Sequence, residues 1–421
     1  RSVAVTGVQT CALPIYATIG YYSPSTGPGM GVTYQVNSAL ISVSSTLGPI
    51  VLNSGVSGDR NNAVIGYYNG TTPAAVPPNV SVAIGSINVQ CSMQAQATHY
   101  ITLQAGNNAG TATGVAAIGT FVHAGSSAHS AIAIAGNTIN VAGPINPHDG
   151  QALIVNTTPG TPLMNNVSIT ANQLNIYGGT SVTMGGYAQI YSSDELSINF
   201  TTAMNVGVDP TTPPMTLQTG DSRVEAFSDV RINYLTSSKG VLSMVGGASS
   251  AVLTQINSKA GNIDIGGGKA GIEGAKDLVL GRADMIGSAR IFTTTGSLNG
   301  YLAGNLAIQG GNSASAIAEL HAQTSALMNA NGDAHLLGGS MPGAVARVSC
   351  ATGNVALYGL GSLTLTSGVE LAEVRNFGFG NGTLTAFSQH NITLNSDTRL
   401  LNTGSGATNV NAMNDLVLNG T

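Results

Sequence analysis

One short phrase is repeated along the C-terminal two-thirds of the chain. It has a polar turn residue, an apolar residue, a free position and a second apolar residue, often followed by Gly, and it is clearest in GNIDIGGG at 261–268. Related phrases occur at 172–179, 194–200, 228–234, 276–282, 304–311, 353–359, 361–368, 390–396 and 414–420. Because residues two apart lie on one face of a strand, each phrase predicts a short strand with one buried face. In the clearest copy, Asn262 and Gly266 are predicted turn residues, and Ile263 and Ile265 are predicted core residues.

A second phrase often precedes the first and consists of Ala or Ser, a free position and an aliphatic residue. Its aliphatic residues follow one another at steps of 34, 29, 38, 29, 28 and 26 residues, at Ile190, Val224, Leu253, Ile291, Leu320, Val348 and Val374. A period in this range indicates a repeat architecture. The 56 Gly and the two-residue spacing exclude helical repeats, and the lack of Trp disfavours propeller blades. The prediction is an all-β fold, a β-solenoid.

The charge content limits the partners that the chain can have. Charged residues make up 7% of the chain, against about 25% in an average protein. The 13 Lys and Arg are scattered singly, so the sequence shows no basic stripe for nucleic acid and predicts no such partner. No apolar stretch approaches the roughly 20 residues of a transmembrane helix, so no transmembrane segment is predicted.

The N-terminal part differs in texture from the rest. Residues 1–15 are interpreted as an artefact of sequence assembly, because residues 5–15, VTGVQTCALPI, resemble the translation of a sequencing-library adapter. Residues 16–83 are a Tyr-, Pro- and Gly-rich β region of irregular or capping coils. Residues 84–421 are the solenoid repeat array, which we expect to be truncated at both ends.

The region 16–83 contains its own duplication. TIGYYSPSTGP at 18–28 is repeated as VIGYYNGTTPA at 64–74. Each copy predicts a strand that ends in a Pro/Gly turn. The paired Tyr either pack over the turns, which we favour, or form a platform on which sugars stack.

The densest charged grouping is formed by Asp221, Arg223, Glu225, Asp229 and Arg231. All five stand at odd positions, so strand alternation predicts that they share one outward face. They are either part of the acidic groove of a polysaccharide-active enzyme or a solvated face with local charge pairing. The second interpretation is favoured.

Other candidate motifs are weaker. The phrase GIEGAKDLVLG at 271–281 has some similarity to the calcium-binding nonapeptide, but it occurs once, with Lys276 beside Asp277. Asp194 and Glu195 are adjacent, so in a strand they point to opposite faces. Cys11, Cys91 and Cys350 are too far apart for a disulfide framework or a zinc site, and Cys91 and Cys350 are predicted to be buried free thiols.

The histidines do not form a metal-binding pattern. They show neither HxH nor HExxH spacing, and they stand at His99, His123, His129, His148, His321, His335 and His390. His148 and Asp149 are predicted to lie in an exposed turn. The chain contains no nucleophile elbow, P-loop or dinucleotide fingerprint. We therefore predict no catalytic, cofactor-binding or metal-binding residues and no cofactor.

The phrases GNIDIGGG, AGNLAIQGG and ATGNVALYGLGSLTLTSG resemble repeats of the filamentous-haemagglutinin and autotransporter-passenger type, over about 172–420. The resemblance implies a single-stranded right-handed parallel β-helix with irregular coils. It also implies a secreted or cell-surface adhesin-like protein, located extracellularly or on the bacterial cell surface, with a structural or binding role and no enzymatic activity. The expected partner is a host-surface or matrix glycan or protein.

An alternative is a polysaccharide-active β-helix enzyme, a lyase or hydrolase, or a phage tailspike-like protein. Such a protein needs an acidic groove across coils, with three or more carboxylates from different coils in one cleft. A smooth face of Ser, Thr and Asn favours the adhesin-like function instead.

Overall fold

The computed structural model describes residues 16–23, 34–54, 62–69, 80–94, 98–105, 114–121, 131–144, 150–157, 166–179, 186–207, 219–234, 240–266, 276–378 and 380–420. Within these ranges every regular element is a β-strand, and the strands pair in parallel. The predicted all-β parallel β-solenoid is confirmed. The chain divides into two compact units, Arg1–Ser197 with Thr219–Phe227 (unit 1) and Ile198–Gln218 with Ser228–Thr421 (unit 2).

Unit 1 contains two sets of parallel strands. The first set pairs in the order β1 (Tyr16–Ser23), β4 (Asn62–Asn69), β7 (Val115–Phe121), β9 (Gln151–Asn156), β11 (Tyr187–Ser192) and β13 (Ser222–Ala226). The second set consists of β2 (Tyr34–Ser45), β3 (Ile50–Asn53), β5 (Val80–Cys91), β6 (Tyr100–Gln104), β8 (Ala131–Ala142) and β10 (Val167–Tyr177). In this set, β8 pairs with β5 through its first half and with β6 through its second half. One long strand thus takes the place of two shorter ones within a coil.

Unit 2 has three faces, each a stack of parallel strands. Face A consists of β16 (Leu253–Ser258), β19 (Ser288–Thr293), β22 (Ala318–Ala322), β25 (Ala346–Cys350), β28 (Ala372–Asn376) and β31 (Arg399–Asn402). Face B consists of β14 (Val230–Tyr234), β17 (Ile263–Ile265), β20 (Ser297–Leu302), β23 (Ser325–Ala330), β26 (Asn354–Gly359), β29 (Leu384–Ser388) and β32 (Thr408–Ala412).

Face C begins with the end of β12 (Leu196–Val206), whose residues Ala203–Val206 pair with the next strand. It continues through β15 (Val241–Met244), β18 (Asp277–Leu280), β21 (Leu306–Gln309), β24 (Ala334–Leu337), β27 (Leu363–Thr366), β30 (Ile392–Leu394) and β33 (Leu416–Leu418). Every third strand therefore returns to the same face, so one coil of unit 2 contributes one strand to each face.

The duplicated N-terminal phrases occupy the same place in adjacent coils of unit 1. Ile19–Tyr22 and Ile65–Tyr68 pair residue for residue. The ladder continues from Ile65 through Ile118 and Ile154 to Ile190, each of which is buried. The side chains of the paired Tyr lie outside the described part of the structure, so their predicted packing stays a prediction.

In unit 2, the aliphatic positions of the second phrase form the core of face A, except at one position where the prediction needs a correction. Ile291, Leu320, Val348 and Val374 stack on one another and are fully buried. The repeat steps assigned Leu253 to the same position, and this assignment is wrong, because Leu253 pairs with Ser288 and is exposed. Its place in the stack belongs to Ile256, three residues later, which pairs with Ile291 and is buried.

The described residues of the repeated phrase GNIDIGGG, 261–266, fold as predicted. Ile263 and Ile265 are fully buried, and Asp264 between them points outward. Gly266 has φ of 91°, a left-handed conformation that Gly adopts without steric penalty. The turn residue Asn262 joins neighbouring coils, since its Oδ1 accepts the backbone N–H of Ser297 at 2.9 Å. Turn residues of this phrase thus satisfy backbone donors at the corners of the stack.

No helix in the described ranges is long and apolar enough to cross a membrane.

Replacing Ile263 and Ile265 together by Asp should unfold the surrounding coils of unit 2. Each change removes a buried aliphatic side chain and places a carboxylate where no partner exists, which should lower the free energy of unfolding by about 4 kcal/mol or more per site. Circular dichroism and thermal melting measure the effect. The control is Asp264→Asn, an outward substitution that should leave both unchanged. Retention of the β signal and the melting temperature by the double variant would contradict the inward orientation of these residues.

Candidate functional site

The outward positions of face A carry a row of alternating charges. Going from coil to coil, the residues that pair in register are Arg290, Glu319, Arg347, Glu373 and Arg399. We call these five residues the Arg/Glu row. Each stands one position before or after a core residue of the same strand, so its side chain is directed away from the interior. Opposite charges therefore face each other across neighbouring coils.

Glu319 is the best-satisfied member of the row. Its Oε2 accepts hydrogen bonds from Arg290, with Nε at 3.0 Å, and its Oε1 lies 3.3 Å from Nη1 of Arg347. Ser349 donates its hydroxyl to the same Oε1 at 3.1 Å. Burial by itself raises the pKa of Glu319, but the charges of Arg290 and Arg347 and the hydrogen bond from Arg290 outweigh it, so the pKa lies below its ordinary value. Glu319 is thus ionised although it is only 2% exposed.

Glu373 is equally buried but less well satisfied. Its Oε1 lies 2.6 Å from Nε of Arg347, and its Oε2 lies 4.0 Å from Nη1 of Arg375. Neither the Nε–H groups of these two arginines nor Oε2 of Glu373 has a hydrogen bond of good geometry in the described structure. The contacts around Glu373 are therefore ion pairs whose donors are not aimed at the carboxylate, and they leave hydrogen-bonding capacity unused.

Two phenylalanines position the guanidinium groups of this face. The guanidinium carbon of Arg375 lies 4.0 Å from the ring centroid of Phe377, and that of Arg347 lies 5.4 Å from the same centroid. Arg290 lies 5.5 Å from the ring centroid of Phe292. A guanidinium over an aromatic face is attracted by the ring and loses mobility. The arginines are thus held in place both by carboxylates and by rings.

His321 and Ser349 extend the network beside Glu319. Nδ1 of His321 lies 2.8 Å from Oγ of Ser349. Because Ser349 donates its only hydroxyl hydrogen to Glu319, the hydrogen-bond network assigns the ring hydrogen of His321 to Nδ1. The hydroxyl hydrogen of Ser349 is thus already used, and because Ser349 is fully buried it cannot reach a substrate. The trio resembles a catalytic triad in composition, but its geometry does not provide an activated nucleophile.

The pKa of His321 is lowered. Burial makes the largest contribution, and the nearby charges of Arg290 and Arg347 act in the same direction, while Glu319 opposes them. His321 is therefore neutral at neutral pH, with Nε2 as its acceptor atom.

The charged grouping predicted from the sequence does not share one face. Its members separate into the pair Asp221 and Arg223, the pair Asp229 and Arg231 at 3.5 Å, and Glu225, which accepts a hydrogen bond from Gln189 at 2.9 Å. The prediction fails because the strand ends at Ala226 and the next one begins at Val230, in the other unit. The local pairing that we favoured is what the structure contains.

The acidic candidates serve the corners of the solenoid. Oδ1 of Asp277 accepts the backbone N–H of Asn305 at 2.7 Å, as Asn262 does for Ser297. The first part of the calcium-like phrase, 271–275, lies outside the described residues. Asp194 and Glu195 lie in the turn before β12, so the prediction that they alternate along a strand is wrong.

The cysteines and several histidines are the remaining candidates from the sequence. Cys91 and Cys350 are buried free thiols, as predicted. His123, His129, His148 and Asp149 lie outside the described residues, as does Cys11. Across the ranges that the structure describes, no three His, Cys, Asp or Glu side chains come together in a group that could hold a metal ion.

The sequence contains a signal for the Arg/Glu row that the sequence analysis missed. The second phrase was read with a free position after Ala, but that position alternates in ARIFT, AELHA, ARVSC and AEVRN, at 289–293, 318–322, 346–350 and 372–376. Arg, Glu, Arg and Glu follow in turn. An alternation of charge at one repeat position predicts ion pairs between coils once the repeat is known to stack in parallel.

Comparison with protein-family models, with curated proteins and with solved structures finds no match to this chain.

The buried ion pairs of Arg347 should contribute more to the free energy of unfolding than an exposed ion pair does. Arg347→Met removes the positive charge between two buried carboxylates, so we expect a loss of about 3 kcal/mol in the free energy of unfolding, measured by denaturant titration. The matched control is Arg282→Met. Arg282 pairs at 3.0 Å with Asp284, whose side chain is 59% exposed, and its loss should change the free energy by less than about 1 kcal/mol. Equal effects of the two substitutions would contradict the buried network.

The stability of unit 2 should fall as the solution is acidified. The folded pKa of His321 is below the unfolded value of about 6.5, so its contribution is complete above that value and is lost as the pH falls toward the folded pKa. Glu319, whose pKa is also lowered, adds a loss of the same sign at lower pH. Melting temperatures at pH 7.5 and 5.5 should differ less in His321→Gln than in the parent chain, while both proteins should show no such difference between pH 7.5 and 8.5. An unchanged pH response of the variant would contradict this role of His321.

Proposed function

We propose that this chain is a secreted or cell-surface β-solenoid with an adhesin-like structural and binding role, located extracellularly or on the bacterial cell surface. Its partner is a host-surface or matrix glycan or protein. The repeated coils act as a rigid support, and the outward side chains of successive coils form the binding surface.

The observation that carries this proposal is the repetition of uncharged polar and aromatic side chains on face B. One register row contains Ser297, Ser325 and Asn354. A second row, on the same outward side and four residues further along each strand, contains Tyr301, Asn329, Tyr358, Phe387 and Asn411. The same kind of contact is thus offered once per coil, at a spacing of about 4.8 Å.

The second row has the chemistry of a glycan or protein contact. Tyr358 and Phe387 lie with ring centroids 6.0 Å apart in a tilted arrangement, and both are partly exposed. An aromatic ring presents a flat apolar face, and the neighbouring amide of Asn411, which is exposed, can donate to and accept from hydroxyl or peptide groups. Each contact of this kind is weak. A surface that repeats it gains strength when several copies engage together.

The charges of face A support binding more than catalysis. Glu319 and Glu373 are held in ion pairs with arginines and are almost completely buried. A general acid or base must reach the proton that it transfers, and these carboxylates do not. These two carboxylates therefore do not form the acidic groove that the enzyme alternative needs.

Adhesion can be tested with the complete chain, immobilised on beads or free as single molecules. Beads should be retained on surfaces coated with host matrix proteins or glycans at least about tenfold more strongly than single chains, because many contacts act together. Replacing Tyr301 and Tyr358 by Ser should reduce retention, whereas Thr364→Ala on face C should not. Failure to bind any of these surfaces would contradict the proposal, and shortening of a polysaccharide by the chain would favour the enzyme alternative.

A further inference from the structure

The outer surface of face A concentrates positive charge in a chain that has little of it. The chain contains 13 Lys and Arg and has a net charge of −5. Four of these cations stand on outward positions of face A, at Arg290, Arg347, Arg375 and Arg399, together with the carboxylates of Glu319 and Glu373. Four positive and two negative groups give this surface a local charge of +2, opposite in sign to the chain as a whole.

The positive groups are also the accessible ones. The side chains of Arg290 and Arg375 are 40% and 30% exposed, whereas those of Glu319 and Glu373 are 3% and 1% exposed. Arg399, in the next coil, is exposed and forms no ion pair with any residue that the structure describes. A partner that approaches face A therefore meets guanidinium groups, and the carboxylates lie beneath them.

We infer that face A of unit 2 binds an acidic polysaccharide in which charged and uncharged sugars alternate, with the polymer lying along the stacking direction of the coils. Arg290, Arg347 and Arg399 share one register row and are each two coils apart, which corresponds to about 10 Å. This spacing is comparable to the length of a disaccharide. One carboxylate or sulfate per disaccharide would then face one arginine per two coils.

The arginines retain donors for such a ligand. A guanidinium has five N–H groups in a planar fork that matches a carboxylate or sulfate. The side chain of Arg375 is 30% exposed although its Nε is buried, and the guanidinium is already held 4.0 Å above the ring of Phe377. Because the ring restricts this side chain before a ligand arrives, less conformational entropy is lost on binding.

The same features disfavour nucleic acid as the partner. Phosphates follow one another at about 3.4 Å along each strand of a duplex, much closer than the arginines of the row. Single strands are held by bases that stack on free aromatic rings. The rings of Phe292 and Phe377 are covered by guanidinium groups instead.

The proposed site on face A is separate from the face B surface, so an experiment can refute either proposal without refuting the other. Binding of the complete chain is measured by calorimetry with a hyaluronan decasaccharide, with the same oligosaccharide after reduction of its carboxyl groups to alcohols, and with a single-stranded DNA of equal charge. We expect binding to the hyaluronan oligosaccharide alone, weakening as salt is added.

The variant is Arg375→Gln with Arg399→Gln, and the matched control with a single charge removed elsewhere is Arg282→Gln. Arg399→Gln by itself serves as a second variant, because it disturbs no ion pair of the described structure. The double variant should bind about tenfold more weakly and Arg399→Gln about threefold more weakly, while the control stays within twofold and the melting temperatures of Arg399→Gln and of the control remain close to that of the parent.

Three results would overturn the inference. Equal binding of the carboxyl-reduced oligosaccharide would show that charge is not recognised. An equal effect of Arg282→Gln would show that the attraction is general and not located on face A. Tighter binding of the DNA, weakened by the same substitutions, would identify nucleic acid as the partner.

Discussion

The fold depends on parallel pairing between each coil and the next, in which equivalent residues of the two coils lie opposite each other. Ile291, Leu320 and Val348 are 29 and 28 residues apart in sequence, yet they lie one above another at the spacing of hydrogen-bonded strands. This stacking buries the aliphatic side chains and pairs both edges of every interior strand. No coil can bury its inward face alone, so disturbance of one coil is transmitted to its neighbours.

The same constraint governs the charged positions. Stacking in register would place like charges about 4.8 Å apart if one repeat position carried the same charged residue in every coil. Alternation of Arg and Glu turns this repulsion into attraction and pairs the nearly buried carboxyl groups of Glu319 and Glu373 with guanidinium groups. Breaking the alternation at Arg347 would leave carboxylates without adequate compensation. Once these carboxylates are buried, the exposed part of the row is positive, and this is the basis of the acidic-glycan site.

Much of the architecture could be predicted because side-chain alternation is a local property of a strand. Ile263 and Ile265 were correctly placed in the core, and of the seven aliphatic positions of the second phrase only Leu253 needed a correction. That error arose because Leu253 and Ile256 are both aliphatic, and the phrase alone does not decide which one faces inward. The charged grouping at 221–231 was misplaced for a related reason. Its alternation continues across a turn that begins at Phe227 and that no Gly or Pro marks.

The sequence by itself determined the strand-and-turn unit, the inward positions and the low density of charge, since each follows from a few neighbouring residues. Only the tertiary structure decided which residue of one coil lies above which residue of the next. That register depends on the number of residues between equivalent strands, which varies from 26 to 29 among the coils of the Arg/Glu row. The contact of Ser349 with Glu319 and His321 therefore could not be read from any one phrase. It exists because two separate stretches of chain, Ala318–Ala322 and Ala346–Cys350, are brought together by hydrogen bonds between their backbones.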